Sequence, residues 1–182
     1  VLNCGHPDLA EVFQEILMFA DAPRAGLIRR LAAIVYDALI VVALLMFAMT
    51  LALAAVAVLE KTGLISLVGY QDSADYIQRH ALWFQLYLVV WVFWFYLYFW
   101  YKGGQTLGMR AWRLMLVQQN GDAISFKQAV VRALTALLGV GNIWLWLRWG
   151  KGLALQDQLT HTQVIVLSKE QSKLVNLHKA AR

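Results

Sequence analysis

The sequence predicts an all-α integral membrane protein with two transmembrane helices, a third broken, re-entrant or spanning helical segment, and a small cytoplasmic β element. Of the 182 residues, 60% are hydrophobic and 15% are charged, whereas soluble domains average about 45–50% apolar and about 25% charged residues. Two apolar runs, residues 31–59 and 81–101, reach the length of about 20 residues that a helix needs to cross a bilayer. The net charge of +5 is concentrated at the ends of these runs, which is typical of topology control and lipid contact rather than nucleic-acid binding.

The stretch before the first apolar run has two interpretations. Four apolar residues on one helical face indicate a short amphipathic helix: Leu9, Val12, Phe13 and Ile16. Alternatively, the natural start is Met18, and residues 1–17 are an N-terminal extension that is not native.

The first apolar run contains one charged residue, Asp37, and basic residues precede it at Arg24, Arg29 and Arg30. Basic residues before the first span place the N-terminus in the cytoplasm. A carboxylate at the bilayer centre costs about 2.5–3.5 kcal/mol. Asp37 falls near the edge of the hydrocarbon, where the cost is smaller but a partner or water is still needed. Arg30 and Asp37 lie roughly 10 Å apart along the helix axis, so we expect each to find partners on other segments.

The two segments that follow the first run complete a pair of spans. Residues 60–80 are polar with few basic side chains, which predicts a weakly structured loop on the outer side of the membrane. Residues 81–101 are aromatic throughout. Aromatic side chains at the ends fit the interfacial belt of a membrane helix, and we interpret those in the middle as packing and lipid contacts rather than as a cofactor site.

The cytoplasmic segment that follows predicts a β-hairpin. Two short apolar-rich runs, residues 112–117 and 123–126, flank Asn120-Gly121, a frequent turn dipeptide. Residues 162–167 have the composition of a strand, and the hairpin is their natural partner. The sequence therefore predicts a small three-stranded element. The glycines at residues 103–108 do not indicate nucleotide binding, because the Gly-Lys-Ser/Thr ending of a phosphate loop is missing.

The third apolar segment, residues 129–149, contains Arg132 and Arg148 and is interrupted by glycines and Asn142. As a straight span it would place the basic tail outside the cell, against the positive-inside rule, and would separate the two parts of the predicted sheet. A re-entrant helical pair that turns at residues 139–142 removes both conflicts, because protein can cover irregular backbone at membrane depth. We favour the re-entrant pair and keep the straight span as the alternative.

The sequence predicts a non-catalytic protein without a cofactor or metal. A single cysteine, Cys4, excludes an internal disulfide, and the four histidines show no metal-ligand spacing. No Ser/His/Asp grouping and no carboxylates at catalytic spacing are present in the sequence.

Three segments together resemble the RDD family of bacterial membrane proteins. They are RAGLIRRLAAIVYD at residues 24–37, GQTLG at residues 104–108 and LQDQLTHT at residues 155–162. The resemblance covers residues 23–167. The family is named for one arginine and two aspartates, which by position are Arg30, Asp37 and Asp157. Two positions depart from the family pattern: Met109 replaces a usual lysine or arginine, and His161 replaces a usual glycine before the last strand.

This resemblance implies a multi-pass protein of the bacterial inner membrane with a cytoplasmic N-terminus. It implies an RDD-like transmembrane domain at residues 18–168, between the extension 1–17 and a basic flexible tail 169–182. Most members of the family are uncharacterised, and some have been proposed to exchange sodium for protons.

Two functions are compatible with the charged set Arg30, Asp37, Arg132 and Asp157. The first is ion or small-solute transport, with Asp37 as carrier, Arg30 or Arg132 tuning its pKa and Asp157 completing the site. Two spans and a re-entrant pair cannot enclose a solvated path, so transport would need a homo-oligomer or a larger membrane complex. The second is a structural clasp in a non-catalytic accessory or scaffold protein, whose other partner is the lipid bilayer.

Overall fold

The computed structural model describes residues 22–137 and 155–180, and these residues are mostly helical. Within them, seven helices and two strands are present. The helices are α1 (Leu27–Lys61), α2 (Ser73–Arg79), α3 (Ala81–Gly103), α4 (Leu107–Ala111), α5 (Phe126–Leu137), α6 (Leu155–Leu159) and α7 (Lys169–Ala180). The strands are β1 (Leu114–Gln118) and β2 (Thr162–Val166).

The two predicted spans correspond to α1 and α3, which contain 35 and 23 residues. Both are long and apolar enough to cross a membrane. In the most apolar 18-residue stretch of each helix, only 6% of the residues of α1 and 11% of those of α3 are buried. The core helix of a soluble domain, in contrast, buries most of its apolar surface.

The chain divides into two compact units. One contains the described residues up to Asp37 and from Leu97 onward, and the other is Ala38–Tyr96. In the second unit, the Tyr87 hydroxyl donates a hydrogen bond to the Ala48 carbonyl at 3.0 Å, which joins α1 to α3. The loop that we predicted to be weakly structured contains the short helix α2.

The small sheet has two strands, so the prediction of three was wrong. Strands β1 and β2 pair antiparallel, with Leu114 opposite Val166 and Gln118 opposite Thr162. The predicted pairing of the 112–117 and 162–167 segments is therefore confirmed. On the other side of β2, the backbone of Arg24 forms an isolated antiparallel bridge with Ile165. This bridge occupies the edge of β2 that does not face β1.

The predicted hairpin was wrong because its second arm begins a helix. Gly121, with φ +92°, does form a turn, but residues 123–125 are not a strand and α5 starts at Phe126. The Ser125 hydroxyl accepts the Gln128 N–H at 3.3 Å, and the Gln128 side chain accepts the Ser125 N–H at 2.8 Å. This reciprocal pair is a capping box, which stabilises the first turn of a helix.

One face of the sheet forms a hydrophobic core with the C-terminal helix. Val117, Ile165 and Leu167 are buried together with Val175 of α7. The segment that we expected to be a flexible tail therefore contains a helix with a buried side chain. The opposite face carries Leu114, Leu116, Val164 and Thr162, which by register point away from that core.

The third apolar segment is described only in its first part, where it forms α5. The predicted turn at residues 139–142 and the choice between a re-entrant pair and a straight span lie outside the described residues. The amphipathic helix predicted within residues 1–17 lies outside them as well.

Candidate functional site

Asp157 is the centre of a buried ionic cluster in the first unit. Its Oδ2 accepts a hydrogen bond from Nη1 of Arg30 at 2.7 Å, and its Oδ1 accepts one from Nη1 of Arg132 at 2.6 Å. The Asp157 side chain has 0% exposure, and the arginine side chains have 6% and 4%. The two ion pairs connect three helices that are distant in sequence: α1 through Arg30, α5 through Arg132 and α6 through Asp157.

Further polar contacts fix the two guanidinium groups. Nε of Arg30 donates to the carbonyl oxygen of Ala25 at 3.1 Å. Nη1 of Arg132 also donates to the hydroxyl of Thr162 at 2.9 Å, so the cluster reaches β2. The guanidinium carbon of Arg132 lies 5.4 Å from the centroid of the Trp100 ring, in a cation–π contact. These contacts hold both cations in one arrangement around the carboxylate.

The charges of the cluster keep Asp157 ionised. Burial raises the pKa of its carboxyl, but the positive charges of Arg132 and Arg30 and their hydrogen bonds lower it more strongly, so the pKa lies below its ordinary value of 3.8. Both carboxylate oxygens already accept charge-assisted hydrogen bonds. This arrangement suits a permanent ionic tie and is poorly suited to taking up and releasing a proton near neutral pH.

Asp37 lies in a different environment. Its Oδ2 accepts a hydrogen bond from the Thr106 hydroxyl at 2.5 Å, and its Oδ1 accepts one from the Gly108 backbone N–H at 2.8 Å. The residue is only 3% exposed. In residues 22–137 and 155–180, Asp37 forms no ion pair. Within the described residues, its carboxyl group is therefore held by neutral donors.

The sequence around α4 explains how these donors reach Asp37. Thr106 is the N-cap of α4, and its hydroxyl accepts the Met109 N–H at 3.2 Å while donating to Asp37. Gly108 permits a close approach to α1, because a Cβ at this position would collide with the Ala33 carbonyl oxygen and lie 2.9 Å from Asp37 Cγ. A glycine is therefore required where the short helix crosses α1.

Of the four residues that the sequence singled out, the structure brings Arg30, Arg132 and Asp157 together. No described hydrogen bond or ion pair links Asp37 to these three. Both Arg30 and Asp37 find partners on other segments, as we expected from their separation along α1. Sequence reasoning missed Thr106 and Gly108, although both belong to the GQTLG segment that was compared with a phosphate loop.

The comparisons with known proteins identify one family. Residues 24–167 match the model described as the RDD family. This match covers Arg30, Asp37, Arg132 and Asp157, together with the Thr106 and Gly108 donors. No match was found among curated proteins or among solved structures.

Proposed function

Because the chain belongs to the RDD family, we propose that it is a multi-pass protein of the bacterial inner membrane with a non-catalytic accessory or scaffold role. In this role the Arg30–Asp157–Arg132 cluster is a structural clasp that ties α1 to α5, α6 and the small sheet. The observation that carries this proposal is the Asp157 carboxylate, which is fully buried and bonded through both oxygens to arginines on two other helices.

The membrane location is supported by the lengths of the apolar helices and by the positions of the basic residues. The part of α1 that belongs to the second unit, residues 38–61, would be about 36 Å long, against a hydrocarbon core of about 30 Å. Basic residues lie before α1 at Arg24 and after α3 at Arg110 and Arg113. The positive-inside rule then puts both ends of this helix pair in the cytoplasm.

The clasp role follows from the energetics of buried ion pairs. The cluster contains two arginines and one aspartate, and it therefore carries one excess positive charge. Within the described residues, the Asp157 carboxylate is the only anion that pairs with either arginine. Removing one partner of a buried ion pair costs about 3–5 kcal/mol, because the other charge stays buried without compensation. This cost is enough to make the cluster essential for the fold without any transport.

A second candidate function, proton or cation transport, is favoured by the environment of Asp37. This buried carboxylate in α1 is held by a hydroxyl and a backbone N–H and has no described cationic partner. Buried carboxylates of membrane helices often bind and release protons or ions. Because two spans and a re-entrant pair cannot enclose a solvated path, this function would need a homo-oligomer or a larger membrane complex.

Flux measurements in liposomes separate the two candidates. Proton and sodium flux would be measured for the wild type, Asp37→Asn and Asp157→Asn, with protein-free liposomes and Asp75→Asn in the loop as controls. The accessory role predicts no flux in any preparation. Flux in the wild type and in Asp75→Asn that is lost in a folded and inserted Asp37→Asn protein would establish transport and overturn a purely structural role.

Two further measurements test the remaining parts of the proposal. Affinity purification from membranes under mild detergent should recover a stable larger membrane complex if the protein is an accessory subunit. A reporter fused after Arg182 should be active only in a cytoplasmic location. Activity only outside the membrane would overturn the proposed topology.

A further inference from the structure

The second unit contains a cavity of about 400 Å³, at the end of its helix pair that carries α2. Most of its walls are apolar. They come from Met49 and Leu53 of α1, Ile77 of α2, and Phe84 and Leu88 of α3. Ligand sites typically have volumes of about 300–1,000 Å³ and mostly apolar walls. The cavity therefore has the size and lining of a small-molecule site.

Helical spacing directs one face of α3 to the cavity. At 100° per residue, Phe84, Gln85 and Leu88 fall within an arc of about 100°. On the opposite side of α3, Leu86 and Val90 are 49% and 62% exposed. In the proposed membrane location that opposite side contacts bulk lipid. Helix α3 therefore has two distinct faces at the same depth, one on the cavity and one on the bilayer.

The short helix α2 forms a fixed wall of the cavity. Its N-cap Asp72 accepts the Asp75 N–H at 2.8 Å. The Asp75 carboxylate in turn accepts Nε and Nη2 of Arg79, both at 3.1 Å. The rings of Tyr76 and His80 stack with 4.4 Å between their centroids. A helix of 7 residues is marginal on its own, so these contacts hold the wall in place.

Two glutamine side chains also line the cavity, Gln78 of α2 and Gln85 of α3. Among the described residues, neither amide has a hydrogen-bond partner. Gln85 lies about 6 Å inside α3, which starts at Ala81. An amide without a hydrogen bond is costly in an apolar medium. This depth, just inside the edge of the hydrocarbon, is that of the glycerol esters of a phospholipid, whose carbonyl oxygens accept hydrogen bonds.

The shape and lining of the cavity indicate the class of its occupant. Apolar cavities do not hold ordered water, so the apolar walls require an apolar occupant. The wall on α3 runs from Ala81 to Leu88, about 10 Å along the helix. In a membrane, the cavity is therefore elongated along the direction of the lipid chains. A phospholipid combines an apolar chain of this direction with ester groups at the depth of the amides.

We propose that the cavity is a binding site for a diacyl phospholipid of the outer leaflet. One acyl chain lies between α1 and α3, and the amides of Gln78 and Gln85 donate hydrogen bonds to the ester carbonyls. This inference rests on the proposed membrane location.

Photocrosslinking in liposomes distinguishes a binding site from ordinary lipid contact. The protein is placed in phosphatidylethanolamine and phosphatidylglycerol with increasing mole fractions of a phosphatidylethanolamine that carries a diazirine in one acyl chain. Mass spectrometry then locates the adducts. Adducts at Leu53 and Leu88 should saturate at a low mole fraction, because a site has a fixed capacity. Adducts at Leu86 and Val90, on the bilayer face of α3, should rise in proportion to the mole fraction.

Variants assign the saturable adducts to the cavity. Leu53→Trp fills the cavity and should lower the adduct yield at Leu88 several-fold. Gln85→Leu removes one amide and should also lower this yield several-fold at low mole fractions. Gln71→Leu, in the loop before α2, is the matched control and should leave it unchanged. An unaltered yield at Val90 shows that each variant is folded and inserted.

Proportional yields at all four positions would overturn the site and leave the membrane location intact, because the cavity would then hold only boundary lipid. Adducts at Leu86 and Val90 without any at Leu53 and Leu88 would also overturn it, since a protein partner or second copy would then cover the cavity. Saturation that survives both Leu53→Trp and Gln85→Leu would have the same meaning. Absence of adducts at all four positions would instead overturn the membrane location, and the inference with it.

Discussion

The Asp37 carboxylate accepts the backbone N–H of Gly108 at 2.8 Å, in a contact that leaves no space for a side chain on Gly108. The two residues belong to helices separated by the whole of α2 and α3 in the chain. The Asp37 side chain of α1 therefore bonds directly to the backbone of α4. The Thr106 hydroxyl donates the second hydrogen bond to the same carboxyl group.

The substitution Gly108→Ala should lower the free energy of unfolding by about 1–3 kcal/mol, because the added Cβ forces α4 away from α1. Thermal unfolding in detergent, followed by tryptophan fluorescence, would measure the loss. The matched control is Gly26→Ala, whose Cβ would meet nothing within 4 Å and which should change stability by less than about 0.5 kcal/mol. Equal effects of the two substitutions would contradict the close approach at Gly108.

The composition of the ionic cluster predicts an unequal response to charge removal. Asp157→Asn leaves Arg30 and Arg132 buried without an anion and should cost about 3–5 kcal/mol. Arg30→Gln leaves the balanced Arg132–Asp157 pair and should cost clearly less. Chemical denaturation in detergent would compare the two variants. If Arg30→Gln were the more damaging change, Asp157 would not be the centre of the cluster.

The lowered pKa of Asp157 predicts the direction of its pH dependence. A carboxyl whose pKa is lower in the folded than in the unfolded state contributes stability that is complete above the unfolded value, near 3.8, and is lost as pH falls through the folded value. The contribution of Asp157 should therefore be constant from neutral pH to about pH 5 and should decline below about pH 4. The unfolding midpoint across this range is the measurement. Asp157→Asn should show a shallower acid decline than the wild type, and parallel curves would exclude Asp157 as a source of it.

The two long helices could be predicted from sequence because length and apolar composition are local properties. The pairing of the charges could not, since Arg30 and Asp157 are separated by most of the chain. The resemblance identified both residues by position, but only the fold shows that Arg132 shares the carboxylate. The same limit applies to Asp37, whose donors are a hydroxyl and a backbone N–H rather than an opposite charge.

The incorrect hairpin has a local cause that the sequence did contain. Asn120-Gly121 favours a tight turn, and the apolar residues after it suggested a second strand. Ser125 and Gln128, however, have the spacing of a capping box, which competes for the same backbone. The structure has the helix. Arg132 lies about one helical turn after Gln128, where it contacts Asp157.

A final prediction concerns His161, which the resemblance places where glycine is usual. Its φ is +51°, a left-handed conformation that costs a residue with a Cβ roughly 1–2 kcal/mol relative to glycine. The turn is fixed by neighbouring contacts, because the His161 carbonyl accepts the Gln119 N–H at 3.1 Å. We therefore expect His161→Gly to raise the free energy of unfolding by about 1 kcal/mol, measured by chemical denaturation in detergent. His161→Ala is the matched control, because it removes the imidazole but keeps the Cβ and should bring no gain. An equal gain in both variants would assign the effect to loss of the imidazole rather than to relief of backbone strain.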